Sequence, residues 1–141
     1  EYKKLEGKVL TNGVLGGTNF PGNWVGWEGK NAEFIIDLGA EKEFGQIEAD
    51  FLHLPGGWIF LPKGGKFSVS SDKKEYKVFG SFKFVEDRQR RAKFVAGKAS
   101  VNNPVKARYI KVEVETLGTC PSWHYGVGFP AWFLMDEVIV Q

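Results

Sequence analysis

The stretch Phe51-Leu-His-Leu-Pro-Gly-Gly-Trp-Ile-Phe-Leu-Pro-Lys-Gly-Gly-Lys-Phe-Ser-Val-Ser-Ser-Asp72 decides the fold. It reads as a strand, a Gly/Pro turn, an aromatic strand start, a second Gly/Pro turn and a third strand. Phe67 and Val69 alternate with Ser68 and Ser70, the period of two expected of a half-buried strand. Ser71-Asp72-Lys73-Lys74 supplies the turn that follows. Trp58 stands in the first turn, directly after Gly56-Gly57. A loop tryptophan on a stiff sheet exposes apolar area unless something flat docks on it or the ring plugs the sheet end. The residues alone leave both readings open.

Outward from this stretch the same punctuation recurs. Ala32 to Leu38 reads as a strand with Ala32, Phe34, Ile36 and Leu38 on one face, ended by Gly39. Glu43 to Leu52 follows, with Ile47, Ala49 and Phe51 inward and Gln46, Glu48 and Asp50 outward. Tyr76 to Val85 and Ala92 to Val101 read as strands around the charged segment Glu86 to Arg91; a short helix over 85–95 is an alternative. Val101-Asn-Asn-Pro104 is a turn signal. Arg108 to Glu115 is the cleanest strand, with Ile110, Val112 and Val114 facing one way. Leu117 to Pro130 is a long Gly/Pro/aromatic loop, and Trp132 to Val140 is a last strand. Near the start, Val9-Leu10 reads as a short strand before the turn Thr11-Asn12-Gly13, and residues 16–23 as loop. Short strands with turn signals between them predict an all-β sandwich or barrel.

The bulk numbers agree. A chain of 141 residues predicts one domain. At that length folding hides roughly two-thirds of the surface the unfolded chain exposes, enough for one core. Twelve Phe, five Trp, four Tyr and 18 Gly suit short strands and tight turns. The net charge of +2 selects no charged partner. The cluster Arg88, Arg90 and Arg91 follows Glu86 and Asp87, so it reads as a solvated turn and not as a nucleic-acid patch. The single cysteine, Cys120, excludes an internal disulfide. No apolar run approaches the ~20 residues of a membrane span. The first residue is Glu1, which reads as the start of a piece cut from a longer chain.

Catalytic motifs are missing. There is no His-Glu-x-x-His, Gly-x-Ser-x-Gly or phosphate loop in the sequence. Cys120 and His124 make a nucleophile–base pair only by proximity in one irregular loop. Asp50 or Asp136 would need a facing carboxylate and a cleft to act as a glycosidase acid. A binding role suits the residues better. A sugar ring offers an apolar C–H face and a rim of hydroxyls, so its binder wants an aromatic plane and a few oriented polar groups. Three loops supply aromatics: Trp24 and Trp27, Trp58 and Phe60, Trp123 and Tyr125. Asn23, His53 and His124 stand beside them. At least one of Trp24 and Trp27 is expected in the core, and Ile59, Phe60 and Leu61 read as packing.

The ordered set Phe34-Ile-Ile-Asp-Leu-Gly39, Ile47, Trp58, Phe67-Ser-Val-Ser-Ser-Asp72, Ala107-Arg-Tyr-Ile-Lys-Val112 and Asp136-Glu-Val-Ile-Val140 resembles the discoidin, or coagulation factor V/VIII C-type, domain. Trp24-Val-Gly-Trp27-Glu-Gly, Trp58-Ile-Phe-Leu-Pro62 and Gly118-Thr-Cys-Pro-Ser-Trp-His124 look most like bacterial family-32 carbohydrate-binding modules at the C-terminus of β-hexosaminidase-like or chitobiase-like glycoside hydrolases. The resemblance implies a galactose-binding-domain-like jelly-roll β-sandwich of about eight strands. It implies a non-catalytic module that binds glycans, of galactose or N-acetylhexosamine type, for a catalytic domain on the same chain. The expected sugar contacts are Asn23, Trp27, His53, Trp58, Trp123 and His124. The animal members usually carry a disulfide, which one cysteine cannot form. The resemblance also implies a structural calcium near Asn12, Thr18 and Glu137, although Asn12 stands where the family usually has Asp. A secreted, periplasmic or cell-surface location is implied in the same way. Two rival roles are an accessory domain that packs on a catalytic neighbour, and an adhesion module in which Lys63 and Lys66 ring an exposed Trp58.

Overall fold

A computed structural model describes residues 25–141, apart from the side chains of Val25 and Glu137. Six strands run through them: β1 (Val25–Glu28), β2 (Ala32–His53), β3 (Gly64–Ser70), β4 (Lys77–Lys83), β5 (Lys93–Glu115) and β6 (Trp132–Val140). They form one antiparallel sheet in the order β1-β6-β2-β5-β3-β4. The only helical element among the described residues is a 3-10 turn at Pro55–Gly57.

The sheet folds over on itself. β4 hydrogen-bonds to β3, with β5 between β3 and β2 in the strand order. Yet Phe82 of β4 lies 5.6 Å, ring to ring, from Phe51 of β2, and Phe79 lies 5.7 Å from Phe44. Three strand spacings of about 4.8 Å would hold β4 and β2 some way apart in a flat sheet. The two long strands make the fold. β2 and β5 pair from Ala32↔Val114 to His53↔Lys93, with register breaks between Asp37 and Lys42 and between Phe44 and Gln46. Their far halves carry β6 and β1 at one layer, and their near halves carry β3 and β4 at the other.

The core sits between the layers. Ile36, Ile110, Val112, Val114 and Phe67 face Ile47, Ala49, Phe51, Phe133 and Met135, and all are buried. Alternation therefore places the inward residues as expected. Close approach needs glycine at two positions. A Cβ on Gly97 would stand 2.6 Å from the Phe82 ring, and one on Gly80 would stand 2.7 Å from the Ala99 Cβ.

Several sequence expectations change. The strands expected at 32–38 and 43–52 are one strand, as are those at 92–101 and 108–115. Gly39, with φ at +87°, and Val101 to Pro104 lie inside these long strands. No helix forms over 85–95; residues 84–92 are an irregular loop. Ser68 and Ser70 are buried with Phe67 and Val69, because β3 is an interior strand flanked by β4 and β5. The Ser70 hydroxyl closes the next turn with the Asp72 carboxylate and the Lys73 amide. The expectations for residues 9–13 and 16–24 fall outside the described residues.

Candidate functional site

Three loops meet where β2 ends and β6 begins. The first is the 54–63 segment. The 3-10 turn reverses the chain after His53, so that Leu54 and Ile59 exchange backbone hydrogen bonds. Trp58 carries φ +64° there, a conformation that costs a non-glycine residue on the order of 1–3 kcal/mol. Its backbone is held on both sides: the amide donates to Pro55 O at 2.9 Å, and the carbonyl accepts from Trp132 N at 3.0 Å. The other two loops are 84–92 and 116–131.

His124 joins the first and third loops. It is 2% exposed. Its Nδ1 accepts from Gly126 N at 3.0 Å, so the proton lies on Nε2, which donates to Pro55 O at 2.8 Å. The ring stacks under Tyr125 at 4.2 Å and stands edge-on to Trp58, Phe60 and Trp123. Both nitrogens are engaged within the protein, so His124 has none to offer a ligand hydroxyl. The expectation that it contacts sugar is corrected: it is the internal post on which the aromatic loop stands. The Cys120–His124 dyad fails for the same reason. Cys120 is itself buried against Pro130 O, and burial pushes its thiol up.

On one side of this post lies a hollow of about 170 Å³. Its walls include Phe60, Leu61, Pro62, Val85, Leu117 and half-buried Trp123, with His53, Lys63, Glu86 and Asp87 as its polar groups. Trp123 Nε1 donates to Glu86 Oε1 at 2.5 Å, which fixes the plane of the indole. His53, 1% exposed, donates from Nε2 to Gln89 O at 2.5 Å. Its Nδ1 is buried with no partner, a lone pair facing neither water nor protein donor. Asp87 accepts from Gln89 N at 2.9 Å and pairs with Lys93. The Lys93 hydrogen bond, helped by the Gln89 amide, holds its carboxyl below the usual range. So the loop 84–92 is tied to the sheet by His53 and Lys93 and to the third loop by Glu86.

On the other side of the post the rings are open. Trp58 is half-buried, while Tyr125 and Phe129 are 64% and 60% exposed. Trp58 Nε1 donates to Tyr125 Oη at 2.9 Å, and that hydroxyl donates to Gly56 O at 3.2 Å.

A model of the F5/8 type C domain matches residues 4–133. The chain belongs to the F5/8 type C domain family. Solved structures with this fold include the C-terminal domain of a chitobiase from Bacteroides fragilis, at 22% identity and TM-score 0.52, over 98% of this chain and 80% of that one. Another is the family 32 module of Clostridium perfringens NanJ in complex with galactose, at 14% identity and TM-score 0.54, over 99% and 87%. A third is CpGH89CBM32-5 from Clostridium perfringens in complex with GalNAc-β-1,3-galactose, at 19% identity and TM-score 0.52, over 98% and 84%. At these identities the likeness is one of fold. No curated protein matches the chain.

In this F5/8 type C domain the expected contacts divide. His53 and Trp123 share the hollow, and Trp58 lies beyond His124. Trp27 is elsewhere: it stacks on Phe133 at 4.9 Å and on Phe34 at 5.8 Å, against the main core, which corrects its expected place among the sugar contacts. Asn23, Asn12, Thr18 and the Glu137 side chain lie outside the described residues. Among the described residues no group of three or more His, Cys, Asp or Glu is placed to hold a metal ion. Glu86 and Asp87 read as a solvated turn in sequence; no local pattern shows that His53, more than thirty residues earlier, draws their loop in. Lys63 and Lys66 do not ring Trp58 as free cations, since they reach Glu115 and Glu113 at 3.8 and 3.2 Å.

Proposed function

We propose that this domain is a non-catalytic carbohydrate-binding module that seats one neutral sugar ring in the hollow beside Trp123. The observation that carries this reading is the composition of the hollow. A half-buried indole, tied to Glu86, lines a space of about 170 Å³ that suits one sugar ring, with two carboxylates among its polar groups. The indole takes the C–H face; Glu86 and Asp87 accept from hydroxyls. Lys93 and Arg88 are engaged with Asp87 and Glu86, and Lys63 of the hollow with Glu115, so a ligand carboxylate would meet like charge. That supports a neutral sugar, of galactose or N-acetylhexosamine type. The neighbours solved with galactose and with GalNAc-β-1,3-galactose support the class of ligand.

The role that follows is to keep an attached glycoside hydrolase on its glycan by raising local concentration, outside the cell or on its surface. One shallow ring contact gives affinities of roughly 4–8 kcal/mol, millimolar to micromolar. The same reading carries over a structural calcium at Asn12, Thr18 and Glu137; a melting midpoint unmoved by EDTA removes it. A glycan array followed by calorimetry tests the site. Trp123→Ala lowers affinity by about tenfold or more, equivalent to ~1.4 kcal/mol. A folded Trp123→Ala protein with unchanged affinity rejects the hollow as the sugar site.

A further inference from the structure

Six large apolar side chains are strongly exposed among the described residues, and three of them, Tyr125, Val127 and Phe129, fall within five positions of one loop. These residues do not line the hollow. Exposure so concentrated marks a contact surface. Its chemistry is specific in one respect. The polar tips of the cluster are already paired: Trp58 Nε1 donates to Tyr125 Oη, and Tyr125 Oη donates to Gly56 O. The platform is also stiff, because Tyr125 lies stacked on His124, whose two nitrogens are fixed by Pro55 and Gly126.

Position narrows the occupant. Trp123 lies 6.0 Å from the His124 ring, and Tyr125 lies 4.2 Å from it on its stacked face. The sum of these bounds the Trp123–Tyr125 separation at about 10 Å, a span that consecutive rings of one glycan cover. Among the described residues no cation lies over the Trp58, Tyr125 or Phe129 rings, where an anionic lipid surface would need basic side chains.

We propose that Tyr125 and Phe129, backed by Trp58, form a second sugar-ring platform beside the hollow, so that the ligand is an oligosaccharide read over at least two rings. This rests on the hollow being the first sugar subsite and extends it to the ring that follows. Hydroxyl recognition stays at the hollow, since the side-chain polar groups of Trp58 and Tyr125 are already paired. The second subsite therefore takes any neutral pyranose with an apolar face.

The test is a chain-length series by calorimetry: galactose against N-acetyllactosamine and its dimer, and N-acetylglucosamine against chitobiose and chitotriose. In the preferred series the longer ligand binds about three- to tenfold tighter than the monosaccharide, the scale of one added aromatic contact. Phe129→Ala and Tyr125→Ala remove that gain and leave monosaccharide affinity within twofold. Phe129 makes no hydrogen bond through its side chain, so its variant keeps the loop if Tyr125→Ala does not. Equal affinity for short and long ligands in the native protein overturns the second platform and leaves the first subsite standing. A gain that persists in both variants also overturns it. Failure to bind any glycan overturns both.

Discussion

Replacing His124 with Phe separates a supporting histidine from a ligand-reading one. Phenylalanine keeps a ring against Tyr125, Trp58, Phe60 and Trp123, so the packing volume is nearly conserved. Two hydrogen bonds vanish. Gly126 N loses its acceptor, while Pro55 O loses one of two donors and keeps the Trp58 amide, at a site 2% exposed. One buried group left without a partner costs about 1–3 kcal/mol, and the variant is destabilised by that amount. Urea unfolding followed by tryptophan fluorescence measures this, with an unchanged slope and a lower midpoint. His124→Ala loses the ring as well and falls further, by about 3–5 kcal/mol. The opposite pattern, a native midpoint in His124→Phe with glycan affinity lost, would show that the histidine faces ligand and refute the assignment.

Three other perturbations test different parts of the fold and site. Gly97→Ala drives a methyl toward the Phe82 ring and destabilises the sandwich by about 1–3 kcal/mol; Phe82→Leu in the same chain recovers part of it, and strict additivity in denaturant melts refutes the contact. Asp50 is pushed up to about 6 by burial, then by Glu48 and Asp136, so the folded state holds its proton more tightly than the unfolded chain. Its contribution is full below about pH 4 and is lost as pH rises through 6. Asp50→Asn is accordingly isostable near pH 4 and more stable by about 1 kcal/mol at pH 7, after discounting for solvent screening. A pH-independent difference counts against that environment. Glu86→Gln keeps an acceptor for the Trp123 indole, whereas Glu86→Ala frees it. The Trp123 anisotropy, taken as the difference from the matching Trp123→Phe chain, drops in the alanine variant alone, with a several-fold loss of sugar affinity; identical behaviour of the two removes Glu86 as the residue that orients the ring.

How far the sequence reveals this molecule depends on whether each signal is local. Ile110, Val112 and Val114 alternate because one face of β5 meets the core, and that burial is written residue by residue. The breaks were less legible. Gly39 and Pro104 carry turn chemistry, but β2 and β5 run beside each other past both, and Lys42↔Ala107 and Phe44↔Val105 keep the ladder going. A partner strand converts a local stop into a bend. The site shows the same division. Trp123 and His53 are recognisable as residue types suited to a sugar, and the hollow unites them. His124 has the same type and a different role, because a carbonyl 69 residues away and a neighbouring amide claim its nitrogens. Tyr125 and Phe129 are ordinary loop aromatics in the sequence, and only the fold shows that both rings stay exposed.

That single buried ring also explains how an irregular loop of about fifteen residues can present aromatics rigidly without a disulfide or, among the described residues, a metal group. Long loops ordinarily lose binding energy to the ordering of their side chains on contact. Here the ordering is done in advance: His124 locks the 3-10 turn to the aromatic loop, Glu86 locks Trp123, and His53 locks the 84–92 loop to the sheet. The consequence is a particular pattern of coupling. Substitutions in the supports, His124 and Phe60, loosen hollow and platform together, because both lean on the same stack. Substitutions in the exposed rings act on one subsite each. A double-mutant cycle between Trp123 and Phe129 measured on a long glycan should therefore close to within ~0.5 kcal/mol, as independent sites do. A strong coupling between them would mean that the rings bind as one surface, and that the division at His124 is wrong.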